Sequence, residues 1–232
     1  MAYVVRTIGE QVYQNIWLDI RDGVFAPGAK LTIKALEERL GVSSSPIREA
    51  LSRLQQDGVI EYQPNIGMRV LEYSAEDIRE LYSLMAELDV LALHFAFGGP
   101  LRTELLKALP LHQKEALAAL SAPNPALWEK LSDEFHLLFY QYCQNSRLCS
   151  IAEKMRMQLT FFSFRYQKEA PNREQIQKEH DAIITLLLKK DLSAAEQALR
   201  SHYKTSMKFA EQALLNGLSS KQVSLTDSLT AH

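Results

Sequence analysis

The chain has 232 residues, 47% of them apolar, with a formal charge of −2 at pH 7 and a pI near 6.3. That length holds one large domain or two small ones with their own cores, and the near-neutral balance excludes a generally basic coat for nucleic acid, so any such contact must come from a local cluster. Only two cysteines, Cys143 and Cys149, are present. With "MAYVVRTIGEQ" lacking the basic start and apolar centre of a secretory signal, they predict a reducing, cytoplasmic setting without a disulfide framework. No uninterrupted apolar run approaches the ~18 residues of a membrane span, which predicts a protein with no membrane partner.

From Thr7 to Gly23, Ile8, Val12, Ile16 and Ile20 recur every fourth position and form one helical stripe that ends at Gly23 and "APG". "TIKALEERLG" reads as a short helix stopped by Gly41. A few residues later Ile47, Ala50, Leu51 and Leu54 start a third helix that runs to "QDG". Pro46 in its first turn is tolerated because that N–H would have no partner, and a serine just before it is a natural N-cap. "VIEYQPNIGMRVLEY" has strand-forming segments on both sides of "QPNIG" and reads as a hairpin. Three helices and a hairpin make a winged helix-turn-helix over residues 1–73.

At Ser74 the texture changes. "SAED" is a capping-box pattern, and helical segments follow at roughly 75–97, 101–120, 125–143, 147–168, 173–190 and 192–215, separated by "FGGP", "SAPNP", "QNS" and "APN". Residues 74–216 are expected to be an all-α bundle suited to a pocket between helices, and 217–232 a loose polar tail. The fold class is therefore mainly α.

"VSSSPIREAL", residues 42–51, offers two readings. As the front of a recognition helix it presents the hydroxyls of Ser43, Ser44 and Ser45 and the fork of Arg48 to phosphates or a guanine edge. Alternatively, the serines only cap the helix and Arg48 pairs with Glu49 or another acid. In the second domain His136 follows "LSDEF", with Ser132 four and Asp133 three residues before it, while His180 and His202 lie at nearly equal distances from the turn at 190–191. In an antiparallel hairpin those two histidines share a height, and three converging imidazoles suit Zn, Ni or a similar divalent ion. Isolated helical histidines are more often surface or core residues.

"APGAKLTIKALEERLGVSSSPIREALSRLQQDGVIEYQPNIGMRV" resembles the N-terminal domain of GntR-family bacterial transcription regulators, with the likeness spanning residues 8–71. By that resemblance the DNA-contacting positions are Lys34, Ser43, Ser44, Ser45, Pro46, Arg48 and the wing at Asn65 and Gly67. The family usually carries Arg at Ser44 and a basic residue in the wing at Asn65 or Ile66. Fewer cations imply a shallower salt dependence, by about one unit of log–log slope per lost contact.

"DEFHLLFYQYCQN" and "EHDAIITLLLKKDLSAAEQALRSH" resemble the effector (FCD) domain of the FadR subfamily, and the six helices its VanR-type branch. The resemblance implies a divalent metal held by His136, His180 and His202, a carboxylate effector and a homodimer. The family acid four residues before the first histidine is Ser132 here. Asp133 is one position off, a rotation of about 100° that either turns it away or lets it reach the metal only through water. An arginine of the family's first effector-domain helix aligns with Met85, which implies a less charged ligand. Arg156 and Arg165 are further effector candidates, and "FFSFRY" at 161–166 is read as core and dimer packing, with lining of the pocket by part of it as the alternative. The expected function is a ligand-responsive DNA-binding regulator, with a metal-ion sensor and, behind it, a metal-dependent hydrolase as alternatives.

Overall fold

The computed structural model describes residues 7–229, with side chains through Asn216. The chain divides into two compact units at Ser74/Ala75. In the first, α1 (Ile8–Arg21), α2 (Ile33–Leu40) and α3 (Ser44–Gln56) pack through Val12, Ile16, Ile20, Leu36, Ile47, Ala50, Leu51 and Leu54, all buried. Fully burying each of the larger chains is worth about 1.5–3 kcal/mol. Thr7 and Thr32 cap α1 and α2 by accepting from the backbone N–H of Glu10 and Ala35, and Gly41 closes α2 with a left-handed φ of 67°.

The wing is larger than the sequence reading allows. β2 (Ile60–Gln63) and β3 (Gly67–Val70) form the expected hairpin, and β1 (Lys30–Leu31) adds a third antiparallel strand on the far side of β3. Two residues cannot show a period of two, so β1 is invisible as a pattern. At the wing tip Ile66 N–H returns to Gln63 C=O over 3.1 Å, with Pro64 and Asn65 between them. Asn65 takes φ 65° and Gly67 φ 100°, so this turn rests on the two residue types that tolerate such values.

The second unit is built from α4 (Ala75–Gly98), α5 (Arg102–Leu120), α6 (Ala126–Tyr142), α7 (Ser146–Tyr166), α8 (Ala170–Leu188) and α9 (Leu192–Leu229). No strand follows Val70 among the described residues. The breaks fall near where the sequence places them, with two exceptions: "APN" is not a break but the first turn of α8, the chain breaking at 167–169 instead, and α9 continues through 217–229, where a loose tail is expected; 230–232 lie outside the described residues. α4 is the central helix, against α6, α7 and α9, while α5 packs on α6 and α8, and α8 on α9. By length and composition α4 could cross a membrane. The sequence reading passes over it because polar residues interrupt its apolar stretch. In the fold it is the core helix, burying Ile78, Tyr82, Met85, Val90, Leu93 and Phe97, with Asp89 fully buried in its middle.

Candidate functional site

α3 presents two different faces. Ile47, Ala50, Leu51 and Leu54 face the core, while Ser43, Ser45 and Arg48 are exposed and Ser44 and Pro46 half-buried. The helix begins at Ser44, two residues earlier than Pro46 would set it, with Ser43 at the N-cap. Pro46 is thus the third helical residue, still in the turn whose N–H groups lack partners. Contrary to the capping reading, Ser43 makes no side-chain cap bond, which leaves its hydroxyl at a helix N-terminus, the end that favours anions. Glu49 does not hold Arg48. Its carboxylate lies over Gly9 in the first turn of α1, so close that a Cβ there would fall 2.7 Å from Oε2. Lys34 is exposed in the first turn of α2, and Pro64, Asn65 and Ile66 are exposed at the wing tip.

In the helical unit, α6, α8 and α9 each contribute one buried histidine to a single cluster. The candidate ligand atoms of His136, His180 and His202 all lie within 4.8 Å of one another. His180 Nε2 and His202 Nε2 are 3.4 Å apart. Two nitrogens each about 2.0–2.1 Å from a tetrahedral ion are roughly 3.3–3.4 Å apart, so this pair already has the separation such an ion needs.

Two carboxylates orient the rings. Asp89 Oδ2 lies 2.6 Å from His136 Nδ1, and Glu179 Oε2 lies 2.8 Å from His202 Nδ1. With a proton on each Nδ1, both Nε2 atoms carry lone pairs, the carboxylate–histidine arrangement that commonly surrounds a bound metal. Burial pushes His136 down to about 4 against the pull of Asp89. Burial, followed by the neighbouring His202, drives His180 well below the usual imidazole range. Both are therefore neutral and able to ligate at pH 7. Phe135 stacks on His180 at 4.0 Å between centroids and fixes its plane.

Asp89 is fully engaged. Besides His136 it accepts from Tyr140 and Tyr203 hydroxyls at 2.6 Å each, and Arg156 Nη1 stands 3.6 Å away. Burial pushes this carboxyl up, and its contacts with His136, Arg156 and Tyr140 push it down by more, so it stays ionised. The sequence reading missed both Asp89 and Glu179. Asp89 had a signal, an acid on the apolar face of a helix beside Met85 and Leu93. Glu179 is next to His180 in sequence yet serves His202.

The remaining candidates separate. Ser132 is buried and lines the same small cavity, about 20 Å³, as His136, His202, Arg156, Tyr82, Tyr166 and Ser206. Asp133 also reaches that wall and forms a short ion pair with Arg156. Arg156 is 5% exposed, and neither its Nε nor its Nη1 has a hydrogen-bond partner. Burial lowers it, while Asp133 and Asp89 more than restore it, leaving a charged guanidinium. Met85 is fully buried in the α4 core and absent from the cavity wall, and Arg165 lies over the Phe161 ring at 4.5 Å, also off that wall. Phe161, Phe162 and Tyr166 are buried, as the packing reading has it. His94 and His112, left without partners by the sequence reading, meet Glu196 at 3.1 Å and the Phe135 ring at 6.3 Å between centroids.

A three-helix head with a three-stranded wing, followed by a helical unit enclosing a polar cavity, defines a DNA-binding transcription regulator. Residues 8–70 match the bacterial regulatory proteins of the gntR family and residues 80–205 match the FCD domain. The chain belongs to the gntR family of bacterial regulatory proteins and carries an FCD domain. It is 25% identical over 207 residues to the HTH-type transcriptional regulator YdhC of Bacillus subtilis, covering 89% of this chain and 92% of that one. It is equally identical over 209 residues to the HTH-type transcriptional repressor GlaR of Escherichia coli, covering 85% and 94%. The solved structure of E. coli McbR/YncC superposes with a TM-score of 0.70 at 22% identity, covering 90% of this chain and 99% of that one, a likeness of fold. The family and these relatives are regulators of transcription, not enzymes.

Proposed function

We propose that the chain is a homodimeric repressor, acting on operator DNA in the cytoplasm, whose DNA affinity is set by a small organic acid bound beside a divalent ion, Zn or Ni, in the histidine cavity. The observation that carries this reading is Arg156, a buried guanidinium whose Nε and Nη1 make no hydrogen bond, on the wall that also holds His136 and His202. Unsatisfied buried donors are costly, and a carboxylate is the acceptor that fits a guanidinium fork best. The resemblance placed the anion-gripping arginine at Met85 and implied a less charged ligand; Arg156 supplies that charge from α7 instead.

Near the histidines stand one guanidinium and three carboxylates, Asp89 and Asp133 beside Arg156 and Glu179 beside His202, two negative charges in excess. A divalent ion would be held by His136, His180 and His202 and would supply the positive charge that draws in a carboxylate. Ser132 lies where a hydroxyl can bond to the same ligand. The ligand then shifts DNA binding through its differential affinity for two states of the protein, with no chemical step. The same excess of negative charge favours a second reading, in which the ion itself is the signal.

The test loads the full chain with zinc and follows its melting temperature across a panel of small mono-, di- and hydroxy acids. At least one acid should raise it and change operator affinity. Arg156→Lys, which keeps the charge opposite Asp89 and Asp133, and Arg156→Gln should both weaken that response at unchanged zinc content. No response to any acid, together with loss of operator control on adding chelator, would favour the ion sensor.

Dimerisation is supported by α4. Leu84, Leu91 and Phe95 are exposed on one side of it, with Leu88 half-buried between them, spaced at i, i+4, i+7 and i+11 like the seam of a helix pair. Leu91→Glu is expected to shift the protein from dimer to monomer in sedimentation velocity and to lower operator affinity at least ~10-fold, because one half-site contact is lost per binding event. A variant that stays dimeric would place the interface elsewhere.

A further inference from the structure

We propose that Cys143 and Cys149 form a modification site, an intramolecular dithiol that a hydroperoxide converts reversibly to a disulfide across the α6–α7 turn. Cys143 is the C-cap of α6, and Cys149 stands in the first turn of α7, which starts after the Asn145 N-cap. Between them Gln144 takes φ 50°, reversing the chain so that the two side chains come together. Their Sγ atoms are 3.8 Å apart, and both thiols donate to one acceptor, the Tyr140 carbonyl, at 3.3 and 3.5 Å. A disulfide needs Sγ atoms at about 2.0 Å, a closure of roughly 2 Å that rotation of two side chains on a short turn can supply.

The two sulfurs differ in access, which assigns their roles. Cys143 is 5% exposed, whereas Cys149 is half-buried and lines a surface groove with Leu137, Tyr140, Glu153 and Met157. A hydroperoxide reaching this groove meets Cys149 first. Its thiolate sulfur attacks the peroxide oxygen, the O–O bond breaks, and a sulfenic acid and one molecule of water (an alcohol, for an organic hydroperoxide) form. Cys143 then attacks the Cys149 sulfur, the S–O bond breaks, and the second water leaves. With hydrogen peroxide, two thiols and one peroxide give one disulfide and two waters. Burial and the adjacent Cys143 thiol raise Cys149, so the thiolate is a minority at pH 7. The site therefore responds to sustained oxidant and not to brief pulses.

The location gives the bond a route to the rest of the unit. Tyr140, whose carbonyl receives both thiols, uses its hydroxyl to hold Asp89, the anchor of His136. The chain contains no other cysteine, so thiol counting reads the site without ambiguity.

The full-length protein, freed of reductant, is treated with hydrogen peroxide, quenched with N-ethylmaleimide, and weighed intact. Untreated protein should take two maleimides per chain. Treated protein should take none, weigh 2 Da less than the reduced unlabelled chain as expected for one S–S bond, run as a single chain without reductant, and recover both thiols with dithiothreitol. Cys143→Ser should instead stop at a sulfenic acid on Cys149 that dimedone traps. Retention of two alkylatable thiols, disulfide-linked chain pairs, or irreversible sulfonic acid at Cys149 in place of the intramolecular bond would overturn the assignment.

Discussion

Arg48→Ala is expected to abolish specific operator binding while leaving the fold intact. Arg48 is exposed on α3, so its truncation leaves the buried Ile47, Leu51 and Leu54 in place, and alanine is the residue a helix interior tolerates best. Glu49 is drawn away over Gly9. The guanidinium makes no salt bridge among the described residues, and the effect falls on DNA. One bidentate contact to a base is worth about 1–3 kcal/mol, and a two-fold symmetric dimer uses it twice, so the combined loss is about 2–6 kcal/mol. Specific affinity typically exceeds nonspecific by about 4–10 kcal/mol, and a loss of this size removes much of that margin. Lys34→Ala provides the contrast. A lysine at the start of α2 that neutralises a phosphate should, when removed, weaken all sequences alike and reduce the log–log salt slope by about one per protomer, about two for the dimer. The measurement is footprinting with anisotropy titrations at several salt concentrations, alongside circular dichroism for the fold. An Arg48→Ala footprint like that of the parent would remove α3 from the role of reader.

What could be read from the sequence follows what repeats at a fixed period or interrupts one. Most of the second unit's helices were legible because Gly, Pro and Asn breaks punctuate them, though the α7–α8 break at 167–169 carries none and "APN" opens α8; His180 and His202 were legible as a pair because equal spacing about a tight turn places two residues at one height. Features that depend on contacts between distant segments were not. β1 is too short to have a period, and only its pairing with Arg69 and Met68 makes it a strand. Glu179 serves the histidine across the hairpin and not its own neighbour, which no rule of local spacing would suggest. Asp89 is the instructive case. Its burial beside Met85 and Leu93 violates the apolar pattern of α4, and such a violation generally marks a site. Local spacing points to Asp133, three residues before His136, whereas the acid bonded to its ring comes from a helix 47 residues earlier.

His180→Ala combined with His202→Ala is expected to reduce bound zinc from one ion per chain to background, read by elemental analysis after metal loading and desalting. The two Nε2 atoms stand 3.4 Å apart, already spaced for a tetrahedral ion. Removing both leaves His136 as the sole imidazole of the cluster, and a single neutral nitrogen does not retain a divalent ion through desalting. The double truncation also empties space beside Phe135, which stacks on His180. Lost metal could then reflect a collapsed core, and a gentler variant separates the two causes. Glu179→Gln conserves shape at a partly exposed position, yet replaces the carboxylate that fixes the His202 Nδ1 proton with a neutral amide. Its effect should be a 10- to 100-fold loss of zinc affinity, the usual cost of changing an outer partner of a ligating histidine, with little change in the circular dichroism spectrum. If Glu179→Gln binds zinc as the parent does and the double variant keeps a full equivalent, the ion is held elsewhere and the three imidazoles are core residues.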